Sequence, residues 1–512
     1  MLCLPRVSPL IAKAVHEALN QGYQISPDAL KLLQESEQRG RNIDFAMLIR
    51  QAIEQKSRPG AQDVSKSIGA KDLSEFFPDV FESPPEPVSS AVYGAGVQEV
   101  KSDVEIVKDP SEDLRPTGLE GFAQLFKSRY EKVVKILMER PEGRQLTKIS
   151  KVSSEKGMVR VAGLVFSRRQ TKNGVEFSID DDTGTTSVLA LNPETKKAAN
   201  DISLDQCVMV EAEASQGRLI LKNVIQPDIP NRVSSTSKKT VYAVFLSDLH
   251  IGSDKFLEGA FDRFLEWLGG RGRISEEDSE IIRRLKYVVI GGDVVDGVGV
   301  FPNQEYELNE RNIYKQYDMV AEKLKMVPEH LQMFIIPGNH DATRQALPQP
   351  MIPEKYASAL YKLKNVKMLG DPCFFKLNGV SILTYHGRSL DDVLATTPGL
   401  SYEKPADAMK MLLKARHLAP MFGSRTPIAP EIEDHLVIEQ VPDIFHAGHV
   451  HTVGIEPYKS TLIINSGTWQ AQTGYQANLG ITPRPGLVPI VNLATLDIVL
   501  REFLTSTSFA SS

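Results

Sequence analysis

The stretch VYAVFLSDLH (Val241–His250) is a short apolar run that ends in a polar cluster, and the pattern recurs four more times along the chain. KYVVIGGDVVD (Lys286–Asp296), MFIIPGNHD (Met333–Asp341), VSILTYHG (Val380–Gly387) and DIFHAGHVH (Asp443–His451) all pass from apolar residues to Asp, Asn, His and Gly. Helical segments lie between them. Strands that alternate with helices and end in polar residues predict an α/β layered domain with its chemistry at the strand ends.

The residue types at those ends point to metals. Two divalent cations held a few ångströms apart need a shared carboxylate, further N and O ligands from several segments, and open positions for water and substrate. Asp-x-His and His-x-His each present two side chains on one side of an extended segment, and glycine lets the backbone turn where a side chain would clash. Any one of these histidines alone is best explained as a hydrogen-bonded core or surface residue. The ordered set is different: His250, His340, His386, His446, His449 and His451, six of ten histidines, lie in or beside strand-end motifs.

The series D-x-H, G-D-x-x-D, G-N-H-D, H and G-H-x-H resembles the calcineurin-like metallophosphoesterase superfamily over roughly residues 240–500. The resemblance implies an α/β sandwich of two mixed sheets flanked by helices. It also implies that Asp248, His250, Asp293 and His451 hold one metal and that Asp293, Asn339, His386 and His449 hold the other. His340 matches the position that contacts the scissile phosphate and assists the leaving oxygen, with Asp341 as the carboxylate that orients it. In-line attack by a metal-acidified water is the chemistry expected. Manganese is the first expected cation, with magnesium, iron or zinc as alternatives for such a mixed ligand set. Gly297 follows Asp296 where protein phosphatases of the superfamily carry Arg, and Asp341 stands where they carry Glu, which argues against a phosphoprotein substrate. Arg388 is a candidate phosphate contact, with a surface ion pair as the competing explanation. His446 is left out of the ligand set.

Upstream, MVRVAGLVFS, VEFSID and TTSVLALN alternate like half-buried strands, PETKKAAN reads as a helix, and CVMVEAE and GRLILKNV follow as strands. Three strands, a helix and two strands is the order of an OB-fold barrel. Residues 127–173 carry 13 Lys/Arg against four Glu and no Asp, a balance suited to tracking a phosphate backbone. A solvated basic face explains it nearly as well, because few aromatics are available for base stacking.

An OB-fold directly before such a phosphoesterase domain is the arrangement of the B-subunits of replicative DNA polymerases. FLSDLHIGS (Phe245–Ser253), GGDVVDG (Gly291–Gly297), GNHDATRQALPQP (Gly338–Pro350), YHGRSLDD (Tyr385–Asp392), DIFHAGHVH and INSGTWQAQTGYQ (Ile464–Gln476) make residues 120–505 similar to the small subunits of archaeal family-D DNA polymerases. The resemblance implies a 3′→5′ proofreading exonuclease that works beside a separate large polymerase subunit, on DNA, with a sliding clamp as a further partner. A non-catalytic scaffold subunit and a stand-alone phosphoesterase or repair nuclease are the alternatives.

The rest of the chain bounds these expectations. Its 512 residues suggest about three domains. The formal net charge of −6 means that any basic surface is local. Cys3, Cys207 and Cys373 form no CxxC pair, which fits a reducing compartment. No apolar run is long enough to span a membrane, so a cytoplasmic, nucleoid-associated protein is expected. The predicted domains are a helical interaction domain over 1–55, a flexible linker over 56–116, a helix plus OB-fold over 117–235, and the phosphoesterase domain over 236–512. In the first, Ser26-Pro27 signals a helix start, Leu30, Leu32 and Leu33 form an apolar face, and Ile43–Ile53 repeats the pattern. Phe76, Phe77 and Phe81 in the linker are a candidate docking motif.

Overall fold

The computed structural model describes residues 9–38, 45–56, 67–68, 71–73, 101–112, 114, 118–143, 145–215, 218–272, 274–478 and 480–504. The chain divides into two compact units, residues 1–90 and 91–512. In the first unit, helices Pro9–Asn20, Pro27–Gln38 and Phe45–Lys56 bury Ile11, Ala18, Leu33, Ile49 and Ile53 in one core. The expected helix start is present: the Ser26 hydroxyl accepts the Ala29 N–H at 3.3 Å, which satisfies one of the donors left open at a helix N-terminus.

In the second unit, two six-stranded sheets pack face to face. The first has the order 366–368, 332–336, 285–291, 242–246, 487–492, 498–502, with its four leading strands parallel. The second has the order 453–458, 461–466, 444–447, 380–384, 373–377, 104–108. Period-two alternation explains the layers. Along Tyr242–Leu246, Ala243 and Phe245 point to the core between the sheets, and Val244 and Leu246 point to the core under the helices. Phe334 of the first sheet stacks on Phe375 of the second, with ring centroids 5.2 Å apart. Helices Glu258–Leu268, Glu276–Arg284, Ile313–Leu324 and Glu354–Tyr361 cover the outer face of the first sheet, and Leu390–Thr396 and Pro405–Ala415 cover the second.

The expected five-stranded barrel is present and closed, formed by Gly157–Gln170, Val175–Asp181, Gly184–Ala190, Arg218–Ile225 and Cys207–Ser215 in that order. Its helix Pro193–Asn200 begins with Pro at N1 and with the Asn192 side chain accepting the Thr195 N–H at 2.8 Å. Val159, Val161 and Val165 fill the barrel. Ala162 and Leu164, on the other side of the same strand, pack against Val133 and Leu137 of the helix Gly121–Met138.

The expected linker over 56–116 needs correction, because it contains ordered pieces. Ser67–Ile68 pairs in parallel with Gln24–Ile25, and Leu73 is buried in the first unit's core. Val104–Lys108 is the edge strand of the second sheet, antiparallel to Cys373–Leu377. Asp109 pins its end by accepting the N–H groups of Ser111 and Gly370 at 2.9 and 3.1 Å. Five residues flanked by charge and proline give too short a signal to stand out from a loop. Phe76, Phe77 and Phe81 lie outside the described residues. Among the described residues, no helix is long and apolar enough to cross a membrane.

Candidate metal centre

Five parallel strands, three in the first sheet and two in the second, deliver their polar ends to one place. Backbone bonds tie those ends together: Asp248 N–H donates to Gly292 O at 2.9 Å, His250 N–H to Asp293 O at 3.1 Å, and Gly448 N–H to His386 O at 2.8 Å. Asp248, His250, Asp293, His449 and His451 all have left-handed φ, between 51° and 72°. A non-glycine residue pays steric energy there, so the surrounding fold must hold these backbones against their own preference. The gain is direction, since each side chain turns inward. Gly338 and Gly448 complete the arrangement. A Cβ on Gly338 would collide with Asp293, and one on Gly448 with Ser247 and Asp248.

The inward side chains form clusters. Candidate ligand atoms of Asp248, His250 and His451 lie within 4.8 Å of one another, as do those of Asp293, His386 and His449. Asp293 stands between the two groups, with Oδ2 3.9 Å from His250 Nε2 and 3.2 Å from His386 Nε2. Asn339 Oδ1 is 3.0 Å from the same His386 nitrogen. All seven residues expected as ligands are therefore brought together.

Each histidine of the set also has one ring nitrogen held by a partner outside it. His250 Nδ1 is 3.0 Å from Asp296 Oδ1, His386 Nδ1 2.9 Å from Gly291 O, His449 Nε2 3.1 Å from Asp391 Oδ2, and His451 Nδ1 2.7 Å from Gln476 Nε2. Partners of this kind fix ring orientation. Sequence reasoning passed over Asp391, Gln470 and Gln476, although all three lie inside motifs it quotes. Gln470 and Gln304 hold Asp296 in turn, with their Nε2 atoms donating to its carboxylate at 3.0 and 2.9 Å.

His340 and Asp341 separate. The His340 ring is fixed through Nδ1, 2.7 Å from Asp296 O, and lies edge-on to His250 with centroids 4.6 Å apart. The expected Asp341–His340 pairing is replaced by another. Asp341 accepts from Gly338 N–H at 2.8 Å and from the Tyr317 hydroxyl at 3.1 Å, so it braces the loop that carries the motif. The cause is local: the tight turn at Gly338 folds Asp341 back beneath its own backbone. His446 stays out of the clusters, with Nε2 3.0 Å from Ser466 Oγ and its ring against Phe245. Burial pushes it down to about 3, so it stays neutral.

Electrostatics follow from burial. Burial works against the charge of Asp293, yet the rings of His386, His340 and His250 outweigh it and hold the carboxyl well below its usual range. Burial would lower His386, but Asp293 lifts it to about 10. Burial, then the charge of Asp293, pushes Asp341 up to about 7. Opening onto these groups is a cleft of about 320 Å³ lined by His250, Asp293, Asn339, His340, His449 and His451. Arg388 also lines it, with Nη1 donating to Gln345 O at 2.7 Å.

A family profile that describes the B-subunits of DNA polymerases alpha and epsilon matches residues 243–453. The chain is 35% identical over 499 residues to the DNA polymerase II small subunit of Archaeoglobus fulgidus, covering 96% of this chain and 98% of that one. This chain belongs to the DNA polymerase II small subunits of the archaeal family-D polymerases. The Halobacterium salinarum small subunit is 32% identical, again over 96% of this chain and 98% of its own. That of Pyrococcus furiosus is 42% identical over 78% of this chain and 68% of its own. In this small subunit the profile match begins at the strand that leads to Asp248 and closes just past His451. It therefore brackets all seven clustered residues.

Proposed function

We propose that this cluster is a two-metal phosphodiesterase centre and that the chain is the 3′→5′ exonuclease subunit of a two-subunit DNA polymerase. The observation that carries this reading is Asp293, a buried carboxylate grouped with His386 and His449 and 3.9 Å from His250 of the neighbouring group, in the lining of an open cleft. The donors suit divalent cations: carboxylates, an amide oxygen and imidazoles, with Nε2 of His250 and His451 facing each other at 3.1 Å. Asp248, His250, Asp293 and His451 would hold one cation, and Asp293, Asn339, His386 and His449 the other. Bound cations would neutralise phosphate charge and acidify the attacking water. The protein's own part is positional. Asp296, Gly291 O, Asp391 and Gln476 keep the four ligand rings aimed. His340, with Nδ1 held by Asp296 O, keeps Nε2 for proton exchange with the leaving oxygen in the cleft.

On this reading the two sheets are the metallophosphoesterase sandwich, the barrel is an OB-fold that helps to hold DNA, and a large polymerase subunit is the obligate partner. A sliding clamp is a further partner. The test uses the full chain, alone and with its large subunit, on a 3′-mismatched primer. Release of nucleotides is expected with manganese and is lost with EDTA. Asp293→Asn should abolish release while preserving assembly. Unchanged DNA synthesis and fidelity in that variant, with no metal-dependent release by the native protein, would make the subunit a scaffold.

A further inference from the structure

The cleft holds more than metal donors. Beside them stand three aromatic rings, Phe301, Tyr402 and Tyr475, and two guanidinium groups, Arg388 and Arg425. Tyr402 is tied to Asp391 through its hydroxyl at 2.8 Å. Among the described residues the Phe301 and Tyr475 rings have no such tie. Tyr475 is 65% exposed, and the Phe301 ring lies edge-on to the His340 ring with centroids 6.3 Å apart.

Phe301 sits on a loop built to present it. Gly297, Gly299 and Asn303 have φ of 76°, 73° and 66°, so the backbone enters the left-handed region three times within seven residues. Both ends are clamped. Gln316 Oε1 accepts the Gly297 N–H at 2.9 Å, and the fully buried Gln304 accepts the Val300 N–H at 2.8 Å while donating to Asp296 O at 2.7 Å. The apolar tip between the clamps, Val298 and Val300, is 49% and 36% exposed. The loop thus sets a half-buried Phe301 beside His340 and leaves its two valines exposed.

We propose that Phe301 is the base-stacking residue for the terminal nucleotide at an unpaired 3′ end, with Tyr475 as a second ring at the rim. This deepens the phosphodiesterase reading and rests on it. A scissile phosphate at the metal donors places the adjoining base within reach of the rings beside His340, and aromatic faces accept any base. The cleft of about 320 Å³ is at the small end of ligand pockets (roughly 300–1,000 Å³). It suits one nucleotide, not a base pair, and the exposed Val300 adds apolar surface to its lining.

The probe is a single-stranded decanucleotide with 2-aminopurine at its 3′ terminus and a phosphorothioate terminal linkage, added to the full chain with manganese. Stacking should quench the terminal fluorophore. Phe301→Ala and Phe301→Leu should remove the quench and weaken binding about tenfold, whereas Phe301→Trp restores both. The leucine variant keeps apolar bulk, so a folding defect is separated from loss of the ring. A probe with internal 2-aminopurine should respond equally in all variants. Quenching that survives in Phe301→Leu, or a native protein that binds the probe without quenching, overturns the proposal. Hydrolysis of bis(4-nitrophenyl) phosphate by the native protein, a phosphodiester without a base, tells which claim fell. If it proceeds, only the base subsite is wrong; if the native protein cleaves neither it nor DNA, the phosphodiesterase reading fails.

Discussion

Arg129→Met tests how the helix Gly121–Met138 is fastened to the two-sheet domain. Arg129 is 1% exposed and Asp434 is fully buried, with Nε to Oδ2 at 2.8 Å. Arg129 also donates to Pro420 O at 2.7 Å, and Asp434 Oδ2 is 3.0 Å from His417 Nε2. Methionine keeps the bulk but strands a buried carboxylate, which costs about 3–5 kcal/mol. Burial, then Arg129, holds His417 down at about 4, so it is neutral in the native protein. Its folded value lies below the unfolded one of about 6.5. It therefore withdraws stability as pH falls from 6.5 toward 4, by on the order of 3 kcal/mol. In the variant the repelling cation is gone and His417 takes up a proton beside Asp434, so the penalty of the substitution should shrink between pH 7 and pH 5. Urea unfolding of the full chain followed by fluorescence of Trp267 and Trp469 measures both effects. Adding Asp434→Asn should recover at least half of the loss at pH 8. A loss below about 1 kcal/mol at pH 8, or one that widens as pH falls, refutes the reasoning.

Three further outcomes are expected. Gly448→Ala drives a methyl group into Ser247 and Asp248, so it should abolish metal uptake, read by calorimetry with manganese, while circular dichroism stays native. His340→Ala should lower kcat about 10²–10⁴-fold and leave manganese affinity within twofold, because His340 lies outside both ligand groups proposed here. Phe177→Ala empties a fully buried position in the barrel and should cost about 3–5 kcal/mol in urea unfolding, with hydrolysis of a small phosphodiester unchanged.

The strand-end motifs were legible because each places several ligand types within a few residues of an apolar run, a pattern that survives in one dimension. The barrel was legible for the same reason, since its strands alternate and its turns carry Gly and Asp. Val104–Lys108 was hidden because an edge strand needs its partner, Cys373–Leu377, to be recognised, and that partner is far away in sequence. The role of Asp341 was misjudged because adjacency in sequence suggested a pairing that the turn at Gly338 forbids. Asp391 and Gln476 reach the site from the short helices Leu390–Thr396 and Gly474–Asn478, too brief to show a period, and Phe301 reaches it from a loop. Only the folded chain shows that all three segments return to the same cleft.

The left-handed backbones at Asp248, His250, Asp293, His449 and His451 bear on how such a site is kept over evolutionary time. Each non-glycine residue in that conformation costs about 1 kcal/mol, a sizeable sum beside the few kcal/mol by which proteins remain folded. Replacement by glycine or asparagine relaxes that backbone strain. In backbone energy alone, a lineage that did not need the proposed chemistry would drift toward relaxed residues at these five positions. Under the proposed function, the strained residues stay because the chemistry needs their side chains where the backbone would not choose to put them.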